Sequence, residues 1–342
     1  MSRKNLSAIN RIPKILRAKL RNKKINKIYK NFEKSLKIDE AFAVAVSGGP
    51  DSLALSFLSK IYSSKKKLLV KYYIVDHKLR NESTKEARKV KKILKKNSIH
   101  SQILTWNGKK PHTNIQSLAR FKRYELILDK CNKHNISNLL LAHQEDDLVE
   151  NFFIRILRGS GLKGLVSLDK ISKFGNKTLL RPLIDQKKED LVFLSKYVFD
   201  FYVEDPSNKN EKFKRIKVRK LIGELRENGL DTKKLVNTIK NLKSSNDVVN
   251  FYVDENFTKN TFFSTKKNEL TLNRDFFSQP YEIIFRSFSK SIKLVGKKYY
   301  SARGKKIDKM IKNIMNNTVL RATLGGCIIK KVNQTVIISK EH

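Results

Sequence analysis

Apolar and polar positions along the first two thirds of the chain switch repeatedly between strand-like and helix-like spacing. Residues 41–46 (AFAVAV) are a run of small and β-branched apolar residues. Ser47-Gly48-Gly49-Pro50-Asp51-Ser52 ends the run, and Leu53, Leu55, Phe57, Leu58 and Ile61 follow at helical spacing. This predicts buried strand, tight glycine turn and helix in immediate succession. Further strands are predicted over 68–76, 99–105, 139–142 and 179–183, with helices over 82–96, 115–131, 145–157 and 187–197. Strand–helix units of this length predict an α/β fold built on a doubly wound, mostly parallel sheet. Ligands of such sheets bind beyond the carboxyl ends of the strands, where the strand order reverses. From about residue 215 the pattern is helical and lysine-rich. No convincing strand follows until Val319–Thr323, Cys327–Val332 and Thr335–Ser339, which predict a terminal β-meander. The expected organisation is a basic N-terminal extension (1–38), an α/β domain (39–224) and a smaller helical/β C-terminal domain (225–342).

Charge changes this picture more than size does. The chain carries 74 basic and 32 acidic residues, a net +42. An A+T-rich coding bias explains why lysine is common, but the resulting field still attracts polyanions. A nucleic-acid partner is expected on this ground. The two cysteines, Cys131 and Cys327, form no C-x-x-C or Cys/His cluster. They read as buried small apolar residues in a reducing compartment, the cytoplasm. No run of about 18 apolar residues exists, so no membrane partner is expected. The first 37 residues hold thirteen Lys/Arg and one acid, Glu33. Ile25, Ile28, Tyr29 and Phe32 recur there at helical spacing. This predicts an integral basic helix, after a disordered extreme N-terminus, rather than a transit peptide.

The candidate chemistry lies at the predicted strand ends. In Ser47–Ser52 two glycines let the backbone turn sharply and approach a ligand, and the unpaired N–H groups of a helix start face it. Ser47 and Ser52 can add hydroxyl donors, and Asp51 can hold a Mg²⁺ bridging phosphate oxygens. A plain turn capped by Ser52 is the alternative. The hexapeptide is not a Walker A loop; it resembles the PP-loop of the N-type ATP pyrophosphatases, which split ATP between the α and β phosphates. In LAHQEDDLVEN (141–151), Glu145, Asp146, Asp147 and Glu150 crowd together with no basic residue between them. On a helix Asp146, Asp147 and Glu150 share a face, and such crowding asks for a cation, either Mg²⁺ on phosphates or a substrate ammonium. Balancing of the helix dipole accounts for one or two of the four. His143 precedes them as a candidate phosphate contact. VDHKLR (75–80) places Asp76 and His77 toward a nucleotide, and Arg120, Arg123 and Tyr124 lie together on one predicted helix. RGSGLKGL (158–165) contains a formal G-x-G-x-x-G but follows a helix, so it reads as a helix end and flexible loop, not a dinucleotide site. EDPSN (204–208) leads to Arg215 and Arg219, four apart and suited to phosphate or developing negative charge.

In this order SGGPDS, VDHKLR, ARFKRY, LAHQEDDLVEN, RGSGLKGL, RPL (181–183) and EDPSN closely resemble the tRNA(Ile)-lysidine synthase family over residues 40–220. TLGGCIIKKV (323–332) is similar to that family's C-terminal strands. One departure is Ile216, where the family usually carries Asn after the first arginine. The resemblance implies an ATP-dependent ligase of the cytoplasm. It would adenylate C2 of cytidine 34 in the CAU-anticodon tRNA(Ile), then join L-lysine there with release of AMP. It implies ATP held by Ser47, Gly48, Gly49, Pro50, Asp51, Ser52, Asp76, His77 and His143, with Mg²⁺ on Asp51 and Asp146. Asp51, Asp147, Glu150 and Arg215 would carry the chemistry: Asp147 and Glu150 hold lysine, and Arg215 steadies the adenylate. Oligomeric state stays open, a homodimer being one alternative. A PP-loop tRNA sulfur transferase and a non-catalytic basic RNA-binding protein are the competing readings.

Overall fold

Alternating side chains of a strand point to opposite faces, and the first strand shows what that does here. In β1 (Phe42–Val46), Phe42, Val44 and Val46 enter one apolar core while Ala43 enters another. A strand buried on both faces reads as a continuous apolar run, as this one does. The structure is a computed structural model that describes residues 11–80, 82–108, 115–204, 214–298, 302–318 and 320–341. The expectation of a disordered extreme N-terminus and Asp205–Asn208 of the EDPSN turn lie outside the described residues. The chain forms two compact units, dividing between Ile239 and Lys240.

The first unit opens with α1 (Lys14–Lys19) and α2 (Lys23–Ser35), followed by β1 and α3 (Pro50–Lys66). Then come β2 (Val70–Asp76), α4 (Ser83–Lys96), β3 (Ser101–Thr105), α5 (Ile115–Lys133), β4 (Asn138–Leu140) and α6 (Glu145–Ile156). A short α7 (Leu162–Leu165), β5 (Ile171–Phe174), β6 (Lys177–Leu180), α8 (Lys188–Phe199) and α9 (Lys214–Glu227) complete the pattern before the long α10 (Thr232–Asn260). The sheet order is β3-β2-β1-β4-β6-β5. Every pairing is parallel except β5 with β6. Val44 of β1 pairs with Tyr72 on one side and Leu140 on the other. The strand order reverses between β1 and β4, so a crevice opens beyond their carboxyl ends.

Helix α2 is part of this core. Asn22 caps it by accepting from the N–H groups of Lys24 and Ile25, and Ile25, Ile28, Tyr29 and Phe32 are buried. Phe32 meets the Tyr62 ring edge-on at 6.2 Å, and the Tyr62 hydroxyl donates to the Ile38 carbonyl. The lysines of α2 remain outside, so the helix is basic on one face and structural on the other.

In the second unit α11 (Tyr281–Gly296) and α12 (Gly304–Met315) cover a five-stranded antiparallel sheet, order β7-β8-β11-β10-β9. Its strands are β7 (Thr261–Ser264), β8 (Glu269–Leu272), β9 (Arg321–Leu324), β10 (Cys327–Val332) and β11 (Thr335–Lys340). Ile284, Phe288, Ile292, Ile307 and Ile311 pack on Leu270, Leu272, Ile329, Val336 and Ile338.

Two sequence expectations require correction. The β7–β8 hairpin lies where no strand was expected: its strands are four residues long, and only Leu270 and Leu272 are buried. Too few alternations stand out from the surrounding lysines. The strand expected over 179–183 is Lys177–Leu180, preceded by the unforeseen β5. β5 is a four-residue antiparallel edge strand with no fully buried residue to imprint a period, its Ile171 being exposed. Glycine ends α6 as expected: Gly159 has φ +63°, and Ser160 N–H donates back to the Arg155 carbonyl. The short helix α7, not a simple loop, follows. Among the described residues no helix is long and apolar enough to cross a membrane.

If α2 belongs to the core, Phe32→Ala should lower the unfolding free energy by about 3–5 kcal/mol, read by urea denaturation. A loss below about 1 kcal/mol would make the helix peripheral.

Candidate active site

The turn after β1 is shaped by close approach. Gly48 has φ +91°, and a Cβ there would lie 2.7 Å from Val90 Cγ2 and 3.0 Å from Val203 Cγ2. Its carbonyl accepts from Val203 N–H at 2.9 Å. Ser52 is buried; its Oγ accepts from the N–H groups of Ser47 (3.2 Å) and Gly48 (3.0 Å) and donates to the Gly49 carbonyl (2.9 Å). Ser52 therefore holds the turn closed, while Ser47 stands exposed at its rim. Gly49 is the N-cap of α3 and Pro50 its first residue. Proline has no N–H to leave unpaired there, and the remaining first-turn N–H groups face outward. Ser195 of α8 donates to the Pro50 carbonyl at 2.6 Å and anchors the helix start from behind.

Next to this turn lies the start of α6. Gln144 caps it by accepting from Asp146 N–H, and Asp147 Oδ2 accepts from Gln144 N–H in return. The cations that the crowded acids ask for are supplied by the chain itself. Asp146 Oδ1 lies 2.9 Å from Arg226 Nη2, and Asp147 Oδ1 lies 3.3 Å from Arg215 Nη2. Glu150 Oε1 accepts from Arg219 Nε at 2.5 Å. Glu150 Oε2 is 3.1 Å from Arg215 Nε, an ion-pair contact rather than an aligned hydrogen bond. Arg215, Arg219 and Arg226, spaced four and seven apart, share one face of α9. Ile216 and Val218, which flank this arginine row on opposite sides, are both buried, so isoleucine in place of the family's asparagine is a buried apolar side chain of the helix. Sequence reading passed over Arg226; its spacing from Arg219, a near-integral two turns, was the available signal.

Asp51 is the strained member. Its Oδ1 is buried with no hydrogen-bond partner. Desolvation, then the charge of Asp147, push its pKa up to about 7; Asp146 adds to this, and Lys188 and Arg219 oppose it. Burial likewise lifts Glu150 above the ordinary carboxylate range, although Arg219 and Arg215 pull the other way. Among the described residues no group of three or more His, Cys, Asp or Glu is spaced as a metal cage. Mg²⁺ does not need one, because it takes one or two carboxylates and completes its shell with phosphate and water. The orphaned Asp51 oxygen, electrostatically coupled to Asp146 and Asp147, fits that role. A cavity of about 470 Å³ adjoins these groups, lined in part by Asp146, Lys188, Arg226 and Asp231.

The other strand ends are less uniform. Asp76 is buried, and its oxygens already accept from Lys78 N–H (3.0 Å), Ser83 Oγ (2.9 Å) and Thr84 Oγ1 (2.6 Å). Desolvation raises its pKa, but these hydrogen bonds outweigh it and hold the carboxyl below its usual range. In this structure Asp76 braces the β2–α4 turn. His77 Nε2 accepts from Arg123 Nε at 3.2 Å, and desolvation with the Arg123 charge lowers its pKa to about 4. His143 Nδ1 accepts from Arg181 Nε at 3.2 Å. Arg120 lies over the Tyr124 ring, 5.5 Å from its centroid. The site thus gathers the Ser47–Ser52 turn, His77, His143, the α6 acids and two of the α9 arginines named in advance; Arg181, Lys188 and Arg226 are additions from the structure.

The sign of the Asp51 shift gives a test. Its folded pKa is raised, so folding favours the protonated form. That contribution is intact below about pH 4 and is lost as pH rises through about 7. In protein free of nucleotide and divalent ions, Asp51→Asn should match the parent near pH 4. Near pH 8 it should be more stable by roughly 1–3 kcal/mol, read from urea midpoints. Equal stability at both pH values would mean that Asp51 is not desolvated.

Residues 18–225 match the PP-loop domain family, more than half of the chain. A tRNA(Ile)-lysidine synthase of Orientia tsutsugamushi (strain Boryong) is 42% identical over 180 residues, covering 53% of this chain and 41% of that protein. That of Wolbachia sp. subsp. Brugia malayi (strain TRS) is 32% identical over 307 residues, covering 87% of this chain and 70% of that protein. The chain therefore spans less than half of the first relative and just over two thirds of the second. Among solved structures, the U34-tRNA thiolase NcsA from Methanococcus maripaludis has a TM-score of 0.56 at 17% identity, covering 65% of this chain and 78% of that one. At that identity the likeness concerns the fold alone. The parallel sheet with its glycine turn and the extent of the Wolbachia match lead to one conclusion: this chain belongs to the tRNA(Ile)-lysidine synthase family of PP-loop proteins.

Proposed function

We propose that the protein joins L-lysine to C2 of cytidine 34 in the CAU-anticodon tRNA(Ile), using ATP, in the cytoplasm. The observation that carries this reading is the unpartnered Asp51 oxygen, next to the glycine turn in the chain and electrostatically coupled to the carboxylates Asp146 and Asp147. The C2 oxygen of cytidine attacks the α-phosphorus of ATP, and pyrophosphate leaves. The ε-amine of lysine then attacks C2, the C2–O bond breaks, AMP leaves and the amine loses a proton. The Ser47–Ser52 turn holds the phosphates with outward N–H groups. Asp51 and Asp146 would hold Mg²⁺, which would offset phosphate charge. Asp147 and Glu150 receive the lysine ammonium in exchange for Arg215 and Arg219. Glu150, with its raised pKa, is suited to take the proton. Arg215, released from the carboxylates, steadies charge on the adenylate. The +42 chain attracts the tRNA.

The competing readings find less support. Persulfide relay needs a reactive cysteine pair. Cys131 and Cys327 are both buried in the cores of different units, and desolvation pushes each thiol up to about 11. A non-catalytic RNA-binding protein gains nothing from clustered carboxylates, which repel a polyanion.

Incubating tRNA with the protein, ATP and lysine should convert the wobble cytidine to lysidine, read by nucleoside mass spectrometry; an unchanged or sulfur-dependent product overturns the proposal. Asp51→Ala should abolish ATP–pyrophosphate exchange, by roughly 100-fold or more. Glu150→Gln should weaken the apparent affinity for lysine by at least about 10-fold. Unchanged lysine affinity would remove Glu150 from ammonium binding.

A further inference from the structure

Arg181 is a buried cation whose bonds go to neutral acceptors. It follows β6 and is 6% exposed. Its Nη1 donates to the Asp169 carbonyl at 2.8 Å and to Ser172 Oγ at 2.9 Å, and its Nε donates to His143 Nδ1 at 3.2 Å. Burying a guanidinium away from water is costly, and neutral acceptors offset that cost less well than a carboxylate. Its return lies in the histidine. A guanidinium only donates, so the ring nitrogen facing it must be bare. With Nδ1 bare, the neutral imidazole carries its proton on Nε2.

We infer that Arg181 is a positioning residue that fixes His143 as an Nε2–H donor at the carboxyl end of β4. The inference rests on the reading of His143 as a phosphate contact in the proposed reaction. His143 follows β4, the strand that pairs with β1 at the reversal of strand order. A donor held in one orientation needs no reorganisation when negative charge arrives. Four arginines face the ring: Arg181 beyond β6, Arg120 and Arg123 from α5, and Arg215 from α9. Desolvation, followed by these charges with Arg181 first, lowers the imidazole pKa to about 3, so the ring stays neutral through the physiological range. Arg123 does the same to His77 at the end of β2, there through Nε2. Two arginines from different elements thus fix two histidines at the ends of β2 and β4, the strands on either side of β1.

The test is ¹⁵N NMR of the full chain with labelled histidine, His143 being assigned by the signal lost in His143→Asn. The native ring should show the Nε2–H tautomer and hold it from about pH 8 to about pH 5. An Nδ1–H tautomer, or a midpoint between about pH 5.5 and 7, overturns the inference. Arg181→Gln should mix the tautomers, raise the midpoint and lower kcat roughly 10-fold, with a new acid limb in its pH profile. A spectrum unchanged in Arg181→Gln also overturns it, and if that variant does not fold the native spectrum decides alone. The expected spectrum without any lysidine formed would leave the positioning role standing and refute the functional reading instead.

Discussion

Four carboxylates at the start of one helix repel one another, and that repulsion is what the architecture around the site answers. Arg215, Arg219 and Arg226 on α9 answer it by pairing with Asp147, Glu150 and Asp146. The pairing fixes α9 against α6 and keeps a concentrated negative patch intact in a protein of charge +42. On the proposed function the same oxygens receive the ammonium of lysine. Resting and loaded states then compete for one set of acceptors. On that reading an arginine displaced from a carboxylate takes a nucleotide phosphate as its alternative anion, so the two ligands and the two sets of side chains exchange partners without leaving a charge unmatched.

The glycine turn shows the complementary economy of neutral groups. Ser52, Val203 and Ser195 hold the backbone of residues 47–50 in place through hydrogen bonds; the N–H groups of Ser47 and Gly48 donate to Ser52, which leaves those of Gly49 and the first turn of α3 for a ligand. Asp51 sits one residue further on with an oxygen that nothing in the fold satisfies. A carboxylate whose pKa burial raises to about 7 is a cost to folding in its ionised form, and such costs concentrate where a ligand is meant to relieve them.

Much of this was legible from residue order. Phe42 to Val46 declared a strand buried on both faces, Ile25 to Phe32 declared a helix with one apolar side, and the ordered motifs declared the family. The α6 acids were recognised as needing a cation. What the order could not reveal was that the cation comes from Arg226 and its neighbours, some eighty residues away. Nor did Asp76 distinguish itself from Asp51: one ends a strand, the other opens the helix after a strand, and both lie beside a strand-to-helix turn. One is satisfied by Lys78, Ser83 and Thr84, and the other is left unsatisfied. Strand β5 and the β7–β8 hairpin escaped notice because four-residue strands with an exposed face carry too few alternations to register.

Local spacing, then, determined the elements, the direction of the sheet and the chemical inventory at its strand ends, because those depend on side-chain periodicity and backbone turn geometry within a few residues. Tertiary structure alone decided protonation and partnership. It determined which carboxylate is desolvated, which histidine nitrogen is bare beside Arg181, and which arginine neutralises which acid. Those outcomes depend on distances of a few ångströms between groups far apart in the chain, and electrostatic energies inside a protein change steeply over such distances.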